Sequence, residues 1–390
     1  MGHNTETFLG LLASPAGHAA LVFFFFLLIV LFLRKLFGPK GWLRDPKWDE
    51  MNRVQRRQEQ EAAMRQRLSQ LIPLLEREQA VFGSYVDEFC RAGQPDQSAK
   101  ARRLIPDGHP GLAELFERAE QADPALMYEL KREHSLNVLQ NAMEIVVAEP
   151  ALFPAGLPGS KKIGARPRSA ILRKGMREPD AVLLLAALYH DLGRFEQLRR
   201  YGTFCDAVSM NHGHLSAKLL KGPRFLAGES PETRALTRLT VLMHNRRELP
   251  AKLTPGLHPI CQALRDADKL DILRIMAAEL APGHAPDPTV VLGLADEPEK
   301  YSPALLEKAS KRESIAYTEL RYVNDLRFVL CGWLNSLSFE TSRRILARRG
   351  HLESIMTALP DTPEIKRLTD MVRSDLTAVA DPYIALQRPL

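Results

Sequence analysis

The chain has 390 residues, of which 45% are hydrophobic and 26% charged, and a formal net charge of +6. These values exclude global disorder and leave room for one large domain, or a medium one with appendages. The four cysteines (Cys90, Cys205, Cys261, Cys331) lie far apart without CxxC spacing. That argues against a thiolate zinc site and a disulfide framework, and fits a reducing compartment.

The first distinctive element is an uninterrupted apolar run from Ala19 to Leu33 that stops at Arg34-Lys35. A bilayer core needs about 20 apolar residues; the weaker stretch Phe8 to His18 extends the run, and Leu36-Phe37 can sit at the interface. Neither Lys nor Arg precedes Arg34 and no small-residue cleavage site follows Leu33, so residues 1–37 read as a transmembrane anchor rather than a signal peptide. Four consecutive phenylalanines leave no polar face for an ordinary buried helix. Arg34, Lys35, Lys40, Arg44 and Lys47 all follow the span, which predicts a single-pass membrane protein with its body in the cytoplasm.

Residues 38–110 read as a helical stalk and linker. Met64, Leu68, Leu71, Leu75, Phe82, Tyr85 and Phe89 follow a four-three alternation, with Glu78 its one polar break. Pro73 and Gly83 predict two helical pieces. The seam fits two readings equally: a dimerising stalk that would make a homodimer, or an amphipathic helix packed on the next domain. Arg91 to Pro110 reads as a linker.

Residues 111–380 read as the main domain, helix after helix with no sustained period-two alternation, and residues 381–390 as a tail. The fold class is therefore all-α. Asp123-Pro124 predicts a helix start, and Ala181 to Leu188, apolar all round, a central buried helix. Between them residues 149–180 form a loop insert rich in Pro, Gly, Lys and Arg. Its basic residues (Lys161, Lys162, Arg166, Arg168, Arg173, Lys174, Arg177) fit a solvated loop better than a phosphate-binding one.

The buried helix ends in Tyr189-His190-Asp191-Leu192-Gly193-Arg194. An imidazole and a carboxylate there face a desolvation penalty that a divalent cation would relieve. Other residues of ligand type stand at His134, near a helix start, at His212 and His214, at His244 ending an apolar stretch, and at Asp268. Taken singly, each histidine fits the surface or a satisfied core, and Asp266, Asp268 and Asp271 fit surface charges.

The order His, His-Asp, His, His, Asp resembles the HD superfamily of metal-dependent phosphohydrolases. LAALYHDLGRFEQLRRYGTF, HNRRELP and LRDADKLDILR resemble a bacterial HD-domain subfamily, and YVNDLRFVLCGWLNSLSFETSRRILARRGHLE is similar to its C-terminal part. The likeness runs from about Ala125 to Leu376 and implies an HD-domain helical bundle behind the anchor and stalk. By position it implies that His134, His190, Asp191 and Asp268 are metal ligands. His212 and His244 match the extra histidines of two-metal members. His212 is preferred to His214 because the family histidine follows an Asp, replaced here by Asn211. The resemblance implies two divalent ions (Mn, Fe, Co, Ni or Zn) bridged by Asp191, with a metal-activated water attacking phosphorus. Arg194 and Lys269 would lie near the substrate phosphate, with Arg199 and Arg200 as weaker candidates.

The expected reaction is hydrolysis of a phosphomonoester or phosphodiester in a phosphorylated, nucleotide-like small molecule. The HHE…GYP signature of cyclic-dinucleotide enzymes and the HDxxED of stringent-response hydrolases are both missing. Ribonuclease Y shares the order membrane helix, coiled coil, HD domain, but the GxxG loop of its KH domain has no counterpart before His134. That argues against nucleic acid as the partner. A non-catalytic HD signalling or binding module at the membrane is the reading from another class.

Overall fold

The computed structural model describes residues 15–37, 46–92, 124–149, 179–206, 209–253, 256–287 and 290–380. Residues 93–123, the basic insert over 150–178 and the tail over 381–390 lie outside the described residues, and so do the linker and insert readings made for them. The chain divides into two compact units, Met1–Ala62 and Ala63–Leu390.

In the first unit the apolar run lies in α1, Pro15–Phe37. From Phe25 to Leu33 its side chains are 42% to 62% exposed all round. Among the described residues no helix is long and apolar enough to cross a membrane, so the expected span is not found in them. The first part of α2, Pro46–Ala92, is polar and exposed. It is supported by i,i+4 pairs such as Gln55–Glu59 and Arg57–Glu61, each at 3.0 Å.

α2 is one helix, not the two pieces expected from Pro73 and Gly83. A proline inside a helix removes one backbone hydrogen bond, at a cost of about 3 kcal/mol. Burial of Leu68, Leu74, Leu75 and Phe82 on either side offsets that loss. The expected seam is buried within its own chain: Met64, Leu68, Leu75, Phe82, Tyr85 and Phe89 all lie in the core of the second unit. Of the two readings of that seam, the helix packed on its own domain is the one the residues follow.

The rest of the second unit is helical: α3 (Pro124–Ala148), α4 (Pro179–Tyr189), α5 (Leu192–Tyr201), α6 (His212–Leu219), α7 (Pro231–Met243) and α8 (His258–Glu279) come first. They are followed by α9 (Pro303–Ser310), α10 (Val323–Cys331), α11 (Trp333–Ser336), α12 (Glu340–Arg349), α13 (His351–Met356) and α14 (Pro363–Val379). The described residues contain no strand, only an isolated bridge between Ala295 and Tyr322. Proline opens α3, α4, α7, α9 and α14, where its missing N–H costs no helical bond and its fixed φ is already helical. Side chains complete several of these starts: Ser230 accepts from Thr233 N and Thr362 from Ile365 N.

α4 is the axis of the bundle, packed among α3, α7 and α8. Leu183, Leu184, Leu185 and Leu188 are fully buried, as expected for a helix apolar on every side. Its N-terminal Asp180 is also buried and meets Arg67 of α2 at 2.6 Å. A buried hydrogen bond from Asn141 Nδ2 to the Ala267 carbonyl, 2.9 Å, ties α3 to α8. α12, α13 and α14 close the far side.

Candidate metal centre

Four helices and one turn bring the ligand-type residues to a single buried spot. α3 carries His134 in its middle, not at a helix start as the sequence led us to expect. Apolar α4 ends at Tyr189, and His190-Asp191 form the turn into α5. His212 opens α6, His244 caps the end of α7, and Asp268 lies on α8. All of them except Asp268 are buried, and Asp268 keeps 17% of its side chain open.

Asp191 stands between two groups. Its Oδ2 faces His134 Nε2 at 3.6 Å and His190 Nε2 at 3.8 Å, while Asp268 Oδ1 lies 3.2 Å and 3.7 Å from the same two nitrogens. Its Oδ1 faces His212 Nε2 at 3.5 Å and His244 Nε2 at 3.9 Å. The imidazoles also touch one another: His134 and His190 through Nε2 at 3.2 Å, His212 and His244 at 3.0 Å.

The outer nitrogen of each ring fixes its tautomer. His134 Nδ1 meets Asp271 Oδ2 at 2.7 Å, His190 Nδ1 the Ala187 carbonyl at 2.8 Å, His212 Nδ1 Asp206 Oδ2 at 2.7 Å, and His244 Nδ1 the Val241 carbonyl at 2.6 Å. Carbonyls and carboxylates only accept, so each Nδ1 carries the hydrogen and each Nε2 turns a lone pair inward. The inward lone pairs of His190, His212 and His244 beside two carboxylates repel one another, and a cation among them relieves that repulsion.

Charge sharpens this arrangement. Burial would raise the Asp191 carboxyl, but Lys131, His190, Arg194 and His212 hold it well below the usual carboxylate range. Asp268 is likewise lowered, because His134 and His190 outweigh its burial. Burial pushes His190 down; burial, with Arg194 near His212 and His190 near His244, pushes His212 and His244 down to about 4. Those rings are neutral at pH 7, as a metal ligand must be. His134 departs from them: burial and Lys131 lower it, but Asp268 and Asp271 outweigh both and raise it.

Three groups of donor atoms lie close enough to share an ion: His134, His190 and Asp191; His190, His244 and Asp268; and Asp191, His212 and His244. Imidazole nitrogen with carboxylate oxygen suits a borderline divalent cation. The four cysteines are free, and none is in these groups. The donor set therefore fits a divalent metal.

Gly193 allows the two groups to meet. A Cβ there would lie 2.7 Å from the His212 carbonyl and from Ser216 N, so only glycine lets α5 lie this close to α6. The Gly193 N–H donates to Ser216 Oγ at 2.7 Å across that contact.

The remaining expectations fare differently. Arg194 lies beside the centre: Nε is 3.6 Å from Asp191 Oδ1, and Nη1 meets Asp206 at 3.2 Å as well as the Phe204 carbonyl. Lys269 is not brought into the cluster; it donates to Ser336 Oγ at 2.9 Å and lies over the Trp333 ring. Arg199 and Arg200 are engaged by Glu196. His214 is exposed, held by Asn211, whose side chain caps α6 by accepting from His214 N. The carboxylate behind His212 is Asp206, so the loss of an aspartate at position 211 leaves that support intact.

Asp266 and Asp271 are buried rather than surface charges. Asp266 accepts from Ser338 N and Phe339 N, and Asp271 orients His134. Sequence reasoning missed Lys131, whose Nζ lies 2.9 Å from Asp191 Oδ2, one helical turn before His134. That i,i+3 spacing was the only available signal.

Residues 132–273 match the family described as HD domain. That stretch contains every candidate ligand and is consistent with the all-helical fold and with a metal-dependent hydrolase. No curated protein and no solved structure matches the chain.

Proposed function

We propose that the chain is a metal-dependent phosphohydrolase that cleaves a phosphomonoester or phosphodiester bond in a nucleotide-like small molecule. The convergence of four histidine Nε2 atoms on both oxygens of Asp191, each with its Nδ1 hydrogen committed elsewhere, carries this reading. His134, His190 and Asp268 would hold one divalent ion with Asp191 Oδ2, and His212 and His244 a second with Oδ1. When bound, such ions supply Lewis-acid charge and lower the pKa of a coordinated water toward neutrality.

The residues of the chain do the positioning. Asp271, Asp206 and the Ala187 and Val241 carbonyls keep the imidazoles turned inward. Lys131 and Arg194 flank Asp191 and both approach the Phe204 ring, at 5.3 and 5.8 Å. They are the cations best placed to meet phosphoryl oxygens. Lys269 would have to leave Ser336 to do so.

Tethering to the bacterial inner membrane through Ala19 to Leu33, with the centre on the cytoplasmic side, belongs to the same proposal. It rests on the apolar run, its flanking Arg34-Lys35, and the exposure of Phe25 to Leu33. The seam from Met64 to Phe89 is covered by its own chain, so a homodimer through the stalk would use residues 46–62.

The test is to purify the chain, measure bound metal, and assay nucleotides, bis-p-nitrophenyl phosphate and RNA, with Asp191→Ala alongside. Metal-dependent hydrolysis of the small esters that is lost in Asp191→Ala supports the proposal. Cleavage of RNA alone would favour a ribonuclease, and absence of metal and hydrolysis a binding module. Recovery of the full chain, but not of a chain lacking residues 1–37, with carbonate-washed membranes tests the tether.

A further inference from the structure

Glu78 interrupts an otherwise apolar seam, and the metal centre alone gives no reason for it. Its side chain is 1% exposed. A leucine there would extend the seam without the cost of burying a carboxylate, which is large unless hydrogen bonds compensate it. The compensation comes from three directions. Oε2 accepts from the Tyr189 hydroxyl at 2.8 Å and from Leu226 N at 3.1 Å, and Oε1 meets Arg77 Nε and Nη2 at 3.0 and 2.9 Å.

Two of those partners bear on the metal centre or are conformationally special. Tyr189 is fully buried and directly precedes His190-Asp191. Leu226 has φ of 54°, a left-handed backbone unfavourable to an L-residue, and its N–H donates to Glu78. Beyond the His190-Asp191 turn, the same helix continues its grip: the Phe82 and Tyr85 rings pack edge-on against Phe195 of α5, centroids 5.8 and 5.9 Å apart. α2 thus holds the chain on both sides of a two-residue turn whose carboxylate must present one oxygen to each histidine pair.

We infer that Glu78 is a positioning residue for Asp191, acting through the Tyr189 hydroxyl, so that this part of α2 belongs to the catalytic unit. The inference rests on the metal-centre reading above. The Tyr189 hydroxyl fixes where α4 ends, and the end of α4 sets the direction in which Asp191 leaves the turn. A ligand set tolerates displacement of only about half an ångström, so loosening this contact weakens metal binding even though no ligand has been changed.

Tyr189→Phe removes one oxygen, and Glu78→Gln keeps shape while losing charge. Both are tested in the full-length chain, with Leu346→Ala, a buried change in α12, as a control for general loss of stability. The affinity for Mn2+ by isothermal titration is expected to fall about tenfold or more in Tyr189→Phe and Glu78→Gln. For bis-p-nitrophenyl phosphate at saturating Mn2+, kcat should fall while KM stays within about twofold. Leu346→Ala should lower the melting temperature and leave Mn2+ affinity unchanged.

If Glu78→Gln does not fold, Tyr189→Phe decides alone. Wild-type protein that binds Mn2+, with a Tyr189→Phe variant that binds equally well and keeps its kcat, overturns this inference and leaves the metal reading standing. Wild-type protein that binds no Mn2+ overturns the metal reading, and this inference with it.

Discussion

The two faces of Asp191 are furnished differently. On the Oδ2 side, His134 and His190 are joined by Asp268, Asp271 stands behind His134, and Lys131 reaches the same oxygen. On the Oδ1 side, His212 faces Asp191 alone, His244 is shared between Asp191 and Asp268, Asp206 stands behind His212, and Arg194 lies alongside. The first side has two carboxylates close to both of its histidines, whereas the second has Asp191 close to both and Asp268 near His244 only. Where carboxylates are scarce, binding is weaker and more positions stay open to water or substrate oxygen. On the two-ion proposal, the tighter ion would lie on the Oδ2 side and the more exchangeable one on the Oδ1 side.

The largest effect should come from removing what both sides share. Asp191→Asn is expected to reduce hydrolysis by at least on the order of 10²-fold and to strip metal from both sides, as read by mass spectrometry of bound metal beside steady-state rates. Next, His244→Ala and Asp268→Ala separate the sides. The former should leave about one equivalent of tightly bound metal, whereas the latter should cost the tight equivalent first. Equal losses in the two variants would mean that the cluster is a single site.

One layer out, Asp271→Asn and Asp206→Asn should each weaken one side by about 10- to 100-fold, seen as a shift of one titration phase and not the other. Gly193→Ala should be felt mainly at the Oδ1 side. It forces α6 away from α5 and should cost about 1–3 kcal/mol in chemical denaturation, along with metal held by His212. The smallest effect belongs to His214→Ala, which is exposed and turned away, and should alter stability by less than about 0.5 kcal/mol.

Much of this architecture is legible in the residues. Asp123-Pro124 announces a helix start, and the run from Ala181 to Leu188 announces a buried axis, because both signals act within a few helical turns; Pro179, read as part of the insert, in fact opens that axis. The six ligand-type residues could be ordered by resemblance, and the fold brings all six together. What stayed illegible depends on approach in space. Asp206 supports His212 from the connection between α5 and α6, with no periodicity to flag it. Lys131 looked like any exposed helix residue. Seam residues such as Phe82 announce that they are covered, but a four-three pattern does not say whether by the same chain or another. Lys269 was misplaced because adjacency to Asp268 in sequence puts its side chain about 100° round the helix.

The contact through Gly193 has one more consequence. Asp191 occupies the N-cap position of α5, yet its carboxylate makes no capping bond, since both oxygens face the centre. The second amide of α5 is satisfied instead by Ser216, a residue of another helix. α5 has thus borrowed its cap, and its first turn cannot be stable while α6 is undocked. Amide exchange at Gly193 should track exchange in α6 rather than in the remainder of α5, making the two helices one cooperative opening unit.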